Sequence, residues 1–153
     1  DTGCFSVGVA AHPEVHPRSV SRESDRLHLA EKLRLADFAI TQFFFDVEHY
    51  IRLVDEMAAL GVHKPIVPGI MPVTNLGQIT RMAQMSGAAV PQQIVDRLQS
   101  CTDPEQVRHI GVELATQLCH DLMEAGAPGL HLYTLNRSTT AKEIVVNLDL
   151  ITV

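Results

Sequence analysis

Tryptophan is absent from these 153 residues, aromatic residues reach only 5%, and there are three cysteines. Cys4, Cys101 and Cys119 are odd in number and not in metal-ligand spacing, which excludes a disulfide framework and a cysteine metal knuckle. They read as reduced, buried, structural thiols of a cytoplasmic protein. No apolar run approaches the roughly 20 residues of a membrane-spanning helix, and no signal peptide is visible before the first residue, Asp1. Basic residues are the minority, 12 against 18 acidic ones, and the net charge of −6 with no basic patch argues against nucleic acid as a partner. A phosphate-binding P-loop, a dinucleotide glycine fingerprint and a Ser-His-Asp order are also missing. No metal site is expected.

What is present is a single-domain length, 46% hydrophobic residues, and four short apolar runs that each stop at a polar or rigid cluster. Phe5–Ala11 runs into His12-Pro13-Glu14-Val15-His16, and Phe38–Ile40 into Thr41-Gln42-Phe43-Phe44-Phe45-Asp46. Pro65–Val67 runs into Pro68-Gly69-Ile70-Met71-Pro72, and Gly129–Leu132 into Tyr133-Thr134-Leu135-Asn136-Arg137. Buried parallel strands are apolar throughout, so chemistry begins where each run ends, and such ends converge on one pocket.

Helical patterns lie between the runs. Leu29, Ala30, Leu33 and Ala36 share a face in the segment 22–35, as do Tyr50, Leu53, Val54 and Met57 in the segment 47–60. Asp46 is a natural cap for the second of these and Gly61 its stop. Asn75 and Gln78 predict a capped start for a helix to about Met85, and Pro91 opens a short helix ending near Leu98. Asp103, Pro104 and Gln106 open the longest helix, with Val107, Ile110, Leu114, Leu118 and Leu122 as its stripe. Thr140 and Glu143 predict a capping box for a last helix. The alternation implies parallel strands with right-handed helical crossovers. Four such strands make either a small open sheet or half of a (β/α)8 barrel. Periodicity does not choose, but a strand starting almost at Asp1 points to a chain beginning partway through a domain.

Local chemistry leaves each strand end with two readings. His12 and His16 belong to a polar loop or to one that contacts a planar or phosphate-bearing cofactor; Pro13 and Pro17 oppose a metalloprotease helix. Gln42 offers a donor and an acceptor that suit a heterocycle edge such as a pterin, or it packs in the core. Phe43, Phe44 and Phe45 read as core. Gly69 permits close backbone approach in a stiff turn. Asn75 and Gln78 serve as caps or as ligand contacts, and Met82 as core filler or pocket wall. Arg137 can grip a carboxylate in bidentate fashion or stand solvated, and His131 reads as a strand-interior residue.

Taken in order and at their spacing, the segments 9–17, 40–46, 66–75 and 133–137 resemble methylenetetrahydrofolate reductases over nearly the whole chain. The resemblance implies a (β/α)8 TIM barrel of which residues 1–153 supply the C-terminal half, roughly the last four βα units. It implies reduction of 5,10-methylenetetrahydrofolate to 5-methyltetrahydrofolate with NAD(P)H, in one-carbon and methionine metabolism, with hydride usually relayed through FAD. Carried over by position, Gln42 would hydrogen-bond the pterin and lie near the nicotinamide. Gln78, Met82, Tyr133, Leu135 and Arg137 would complete the folate site, with Arg137 at the glutamate tail. His12, His16, Asp25, His28, Lys32 and Gln42 would form the cofactor side. The alternative within the family is a non-catalytic folate-binding or regulatory homologue.

The resemblance departs from the family on the flavin side. His12 stands for a tyrosine, His28 for an asparagine and Glu31 for an arginine beside the cofactor's anionic part, a charge reversal. The expectation is therefore that flavin binds weakly or is dispensable, with direct hydride transfer from NAD(P)H. The acid carboxylate that opens the imidazolidine ring and protonates N10 is expected upstream of Asp1, in the first half of the barrel, so this fragment alone is expected to be inactive. Reduced folate, NAD(P)H and that first half are the expected partners; oligomeric state and NADH against NADPH are left open.

Overall fold

The computed structural model describes residues 3–151. Four parallel strands, β1 (Gly8–Ala11), β2 (Phe38–Phe43), β3 (Ile66–Ile70) and β4 (His131–Leu132), form one sheet in chain order. Among the described residues five helices connect them, α1 (Arg22–Leu35), α2 (Val47–Ala59), α3 (Leu76–Ser86), α4 (Gln92–Gln99) and α5 (Pro104–Glu124), and α6 (Ser138–Asn147) follows β4.

Capping explains most helix starts. Asp46 Oδ1 accepts from the Glu48 amide at 3.0 Å, Asn75 Oδ1 from Gln78 at 2.8 Å, and Asp103 Oδ1 from Gln106 at 2.9 Å. Each satisfies an orphan donor of the first turn. The capping box expected from Thr140 and Glu143 does not form: α6 begins at Ser138, Thr140 is buried, and the Glu143 carboxylate pairs with Arg108 of α5. A cross-helix guanidinium outcompetes a local amide for that carboxylate.

The strand ends extend further than the apolar runs. β2 continues through Phe43 and β3 through Ile70, so Pro68 and Gly69 lie inside the sheet. Ile40 pairs with Val67 and Phe43 with Gly69, leaving Thr41 and Gln42 opposite Pro68 alone. This is a two-against-one bulge in β2. At the other end β1 is shorter than expected, and Phe5 and Val7 are exposed.

One face of the sheet carries the main core. Ala11, Ala39, Ile66 and Ile70 pack against Leu29 and Leu33 of α1, Leu53 and Met57 of α2, Val112 and Leu122 of α5, and Ile144 of α6. Alternation sends the other set, Phe38, Ile40, Gln42 and Val67, to the opposite face, where they are only half-buried and Gly8 and Ala10 are exposed. A second cluster of Phe43, Met71, Val73, Ile79, Ala83 and Leu98 closes the C-terminal ends under α3 and α4. Phe43 and Phe44 are core residues as expected. The stripe expected for α5 holds at Leu118 and Leu122, which are buried, and at Val107 and Ile110, which pack on the second cluster; Leu114 is only half-buried, and Gly111, Val112, Ala115 and Cys119 widen the buried face. One 21-residue helix thus serves both cores. Of the cysteines only Cys119 is buried; Cys4 is exposed and Cys101 half-buried, because neither lies on a core-facing position. No helix among the described residues is long and apolar enough to cross a membrane.

Candidate functional site

The loops at the C-terminal edge of the sheet line several clefts. The β1–α1 loop is built around Arg26, only 4% exposed. Its guanidinium donates to the carbonyls of His12 (3.0 Å), Pro13 (2.7 Å) and Glu14 (3.0 Å), and to the carboxylates of Asp25 and Glu56, both at 2.5 Å. Arg22 adds a second grip on Glu56, at 2.7 and 3.3 Å. Burial alone would raise the Glu56 carboxyl; the hydrogen bonds and charges of the two arginines outweigh it and hold it below the usual range. Asp25 Oδ1 accepts from the His16 amide (3.2 Å) and the Ser19 hydroxyl (2.9 Å). An arginine and two carboxylates therefore fold three successive carbonyls into a fixed loop.

That loop presents His12 and His16, whose rings meet edge to face with centroids 4.5 Å apart. Burial, then the neighbouring His16, lowers the His12 imidazole below its ordinary value, so it offers one donor and one acceptor at neutral pH. His12, His16, Asp25, His28 and Lys32 line one groove of about 340 Å³. The structure thus gathers five of the six residues expected on the cofactor side. Two are already engaged: Asp25 belongs to the arginine network, and Lys32 Nζ donates to the Ala10 carbonyl at 2.8 Å. His28 faces Glu31 at 3.5 Å.

Five of the six residues expected on the folate side share a second cleft, of about 150 Å³, between the β3–α3 and β4–α6 loops: Gln78, Met82, Tyr133, Leu135 and Arg137. Gln78 and Arg137 are exposed at helix starts, and among the described residues the Arg137 guanidinium has no hydrogen-bond or ion-pair partner. Leu135 and Asn136 take left-handed φ values of 47° and 63° to make the turn that delivers Arg137. For leucine this conformation is strained, by roughly 1 kcal/mol or more. Burial raises the Tyr133 phenol, which stays protonated and donates to the Thr41 carbonyl at 2.9 Å.

Gln42 belongs to neither cleft. It lines a narrow gap between them with His12, Phe43 and Gly87, and its Oε1 accepts from the Phe43 amide at 3.0 Å. The side-chain NH2 therefore carries its free hydrogen-bonding capacity. Glu14 closes the gap from outside, accepting from the Ala89 amide at 3.0 and 3.2 Å.

Sequence reasoning missed Arg26, Glu56 and Glu14, because most of their partners lie 12 to 75 positions away in the chain. Only an arginine at a position of the buried α1 face hinted at Arg26. It missed Thr41 as well, whose Oγ1 accepts from the Gly69 amide at 2.8 Å.

Comparison with known proteins points to one family. A family model described as methylenetetrahydrofolate reductase matches residues 1–149. A 5,10-methylenetetrahydrofolate reductase of Pectobacterium carotovorum subsp. carotovorum is 40% identical over 140 residues, 90% of this chain and 47% of that protein. A probable methylenetetrahydrofolate reductase (NADPH) of Caenorhabditis elegans is 38% identical over 149 residues, 95% of this chain and 22% of that protein. A methylenetetrahydrofolate reductase (NADH) 1 of Arabidopsis thaliana is 35% identical over 158 residues, 96% of this chain and 27% of that protein. The chain spans about half the length of its bacterial relative and about a quarter of the other two. With the family model covering all but its last four residues, the chain belongs to the methylenetetrahydrofolate reductase family.

Proposed function

We propose that these four βα units are the C-terminal half of a (β/α)8 barrel, and that the completed barrel reduces 5,10-methylenetetrahydrofolate to 5-methyltetrahydrofolate with NAD(P)H. Family membership is the observation that carries the reading. The uneven sheet supports the half barrel: all-parallel sheets are normally covered on both faces, and here helices cover one. Phe38, Ile40 and Val67 would line the barrel interior, and the first half would pair with the open edges of β1 and β4.

Within that barrel the second cleft is the folate site. Arg137 would take the glutamate carboxylate as a charge-assisted pair, Gln78 a polar edge, and Met82, Tyr133 and Leu135 the apolar walls. Gln42 would direct its NH2 to an acceptor of the pterin or the nicotinamide amide. Hydride leaves the reduced nicotinamide for the methylene carbon of the ring-opened iminium, and a carboxylic acid from outside residues 1–153 protonates N10. The residues of this chain bind and orient; the proton donor is not among them.

The groove on the β1–α1 side does not fit the diphosphate of FAD well. Its one aliphatic cation, Lys32, is bonded to Ala10, the Asp25 carboxylate is compensated by Arg26, and Glu31 adds negative charge beside His28. We infer that flavin is held weakly or is dispensable and that NAD(P)H delivers hydride directly. Stoichiometric oxidised flavin in the absorbance spectrum of the purified full-length protein would overturn that inference.

The activity reading is tested by NAD(P)H oxidation dependent on methylenetetrahydrofolate in the full-length protein, and its absence would refute it. Arg137→Ala is expected to raise the folate KM about 10- to 100-fold, the worth of a lost charge-assisted pair. Residues 1–153 alone are expected to show no turnover.

A further inference from the structure

We propose that Tyr133 is a positioning residue for Gln42: its hydroxyl, by holding the Thr41 carbonyl, locks the two-residue bulge that aims the Gln42 amide. The proposal rests on the folate reading of the site for its kinetic consequence, but not for its structural one.

The regular ladder between β2 and β3 lapses where Thr41 and Gln42 together oppose Pro68. Thr41 stays in register with Ala11 of β1, but on the β3 side the bulge leaves it without regular ladder bonds unless something else supplies them. Here two groups do. The Thr41 carbonyl accepts from the Tyr133 hydroxyl at 2.9 Å, and Thr41 Oγ1 accepts from the Gly69 amide at 2.8 Å. Thr41 is fully buried, so no water replaces either bond. Glycine at 69 is what lets the pieces meet. A Cβ there would stand 2.3 Å from the Thr41 carbonyl oxygen and 2.7 Å from Tyr133 Cε2. The Tyr133 amide donates to the Ile70 carbonyl at 2.8 Å, which ties the tyrosine backbone to β3. The ends of β2, β3 and β4 are thus clamped at one point, one residue before Gln42.

The consequence is directional. With Thr41 fixed, the Phe43 amide holds Gln42 Oε1 at 3.0 Å, which leaves the side-chain NH2 to serve the gap that Gln42 lines. Gln42 is then a donor in a set orientation, suited to a ligand carbonyl or ring nitrogen. Tyr133 lines the folate cleft with its ring, yet its hydroxyl is committed to the protein and unavailable to the ligand.

The test uses full-length protein and Tyr133→Phe, which keeps the ring and deletes the bond. In ligand-free protein the nitrogen and proton resonances of the Gln42 side-chain amide are expected to shift in Tyr133→Phe, and likewise in Thr41→Val, which deletes the acceptor of the Gly69 amide. Unmoved resonances in both variants would overturn the proposal, whatever the ligand proves to be. In kinetics, Tyr133→Phe is expected to raise the folate KM about threefold to tenfold with kcat little changed. In a Gln42→Ala background the same substitution is expected to change KM by less than about twofold, since its effect runs through the amide. Effects that multiply would mean that Tyr133 acts on the ligand directly, and would overturn the proposal. If Gln42→Ala alone leaves folate binding unchanged, the folate reading of Gln42 fails, and the amide resonances still decide the role of Tyr133.

Discussion

Gly111, in the middle of α5, offers the sharpest test of how the candidate site is held in place. A Cβ built there would lie 1.7 Å from the Val73 carbonyl oxygen and 2.7 Å from its carbonyl carbon. Both are backbone atoms of the β3–α3 loop, so no rotamer change relieves the clash. The oxygen separation must double to reach an ordinary contact at 3.4 Å, and the helix or the loop must move to provide it. Helix propensity alone predicts the opposite sign, since Gly→Ala within a helix stabilises by about 1 kcal/mol. Overpacking against immovable atoms costs about 3 kcal/mol or more. Gly111→Ala is therefore expected to destabilise by a net ~2 kcal/mol or more. Urea denaturation of the intact protein reads this as a lowered midpoint at unchanged m. Gly77→Ala in α3 is the control, because its Cβ meets nothing closer than 3.4 Å and should be neutral or stabilising. A Gly111→Ala protein as stable as the parent would refute the close crossing and the positioning of the loop that carries Met71, Thr74 and Asn75 into the cleft.

Three further outcomes are expected. Arg26→Met should cost about 3–5 kcal/mol, because it leaves Asp25 and three loop carbonyls without their buried donor; a loss below about 1 kcal/mol in denaturation would show that the loop holds itself. Glu56 has a folded carboxyl below its ordinary value, so the unfolded chain binds the proton more readily. Its contribution is present above the unfolded value of about 4.3 and is lost as pH falls from there through the folded value. Glu56→Gln should flatten the pH dependence of stability in that window, and an unchanged slope would count against the arginine network. Cys119 is fully buried and its thiol is pushed up to about 11 by burial, so alkylation of the native protein near pH ~8 should proceed only at the rate of unfolding. Labelling as fast as that of an exposed thiol would refute this.

Much of the architecture could be read from periodicity because it follows from local rules. The α1 span from Arg22 to Leu35, the Asp46, Asn75 and Asp103 caps and the order of strands all depend on residues within one or two turns of each other. The grouping of candidate residues was legible too, since strand ends in a parallel sheet point the same way. Buried polar organisers were not. Arg26 sits on the α1 face that periodicity assigns to the core, where an arginine looks like an exception, and its five partners come from the β1–α1 loop, α1 itself and α2. The bulge in β2 was invisible for a related reason: it is a register shift against β3, and pairing register is decided only when the two strands meet.

The two clefts are consequently held by different physics. The β1–α1 side depends on an ionic network in which Glu56 faces two guanidinium groups, and charge pairing of that kind weakens with acid and, at its exposed margin, with salt. The β2–β4 side depends on neutral hydrogen bonds from Tyr133 and Gly69 and on a close backbone crossing at Gly111, and the ion pair of Arg108 with Glu143 ties α6 to α5 away from the cleft lining. Acid should therefore loosen the groove of His12, His16 and Lys32 before it disturbs the cleft of Gln78 and Arg137. Gln42 stands at the boundary, with its strand clamped by the neutral set and His12 of the ionic set across the gap. That placement would suit the role proposed for Gln42, because its aim survives when the loop opposite it moves.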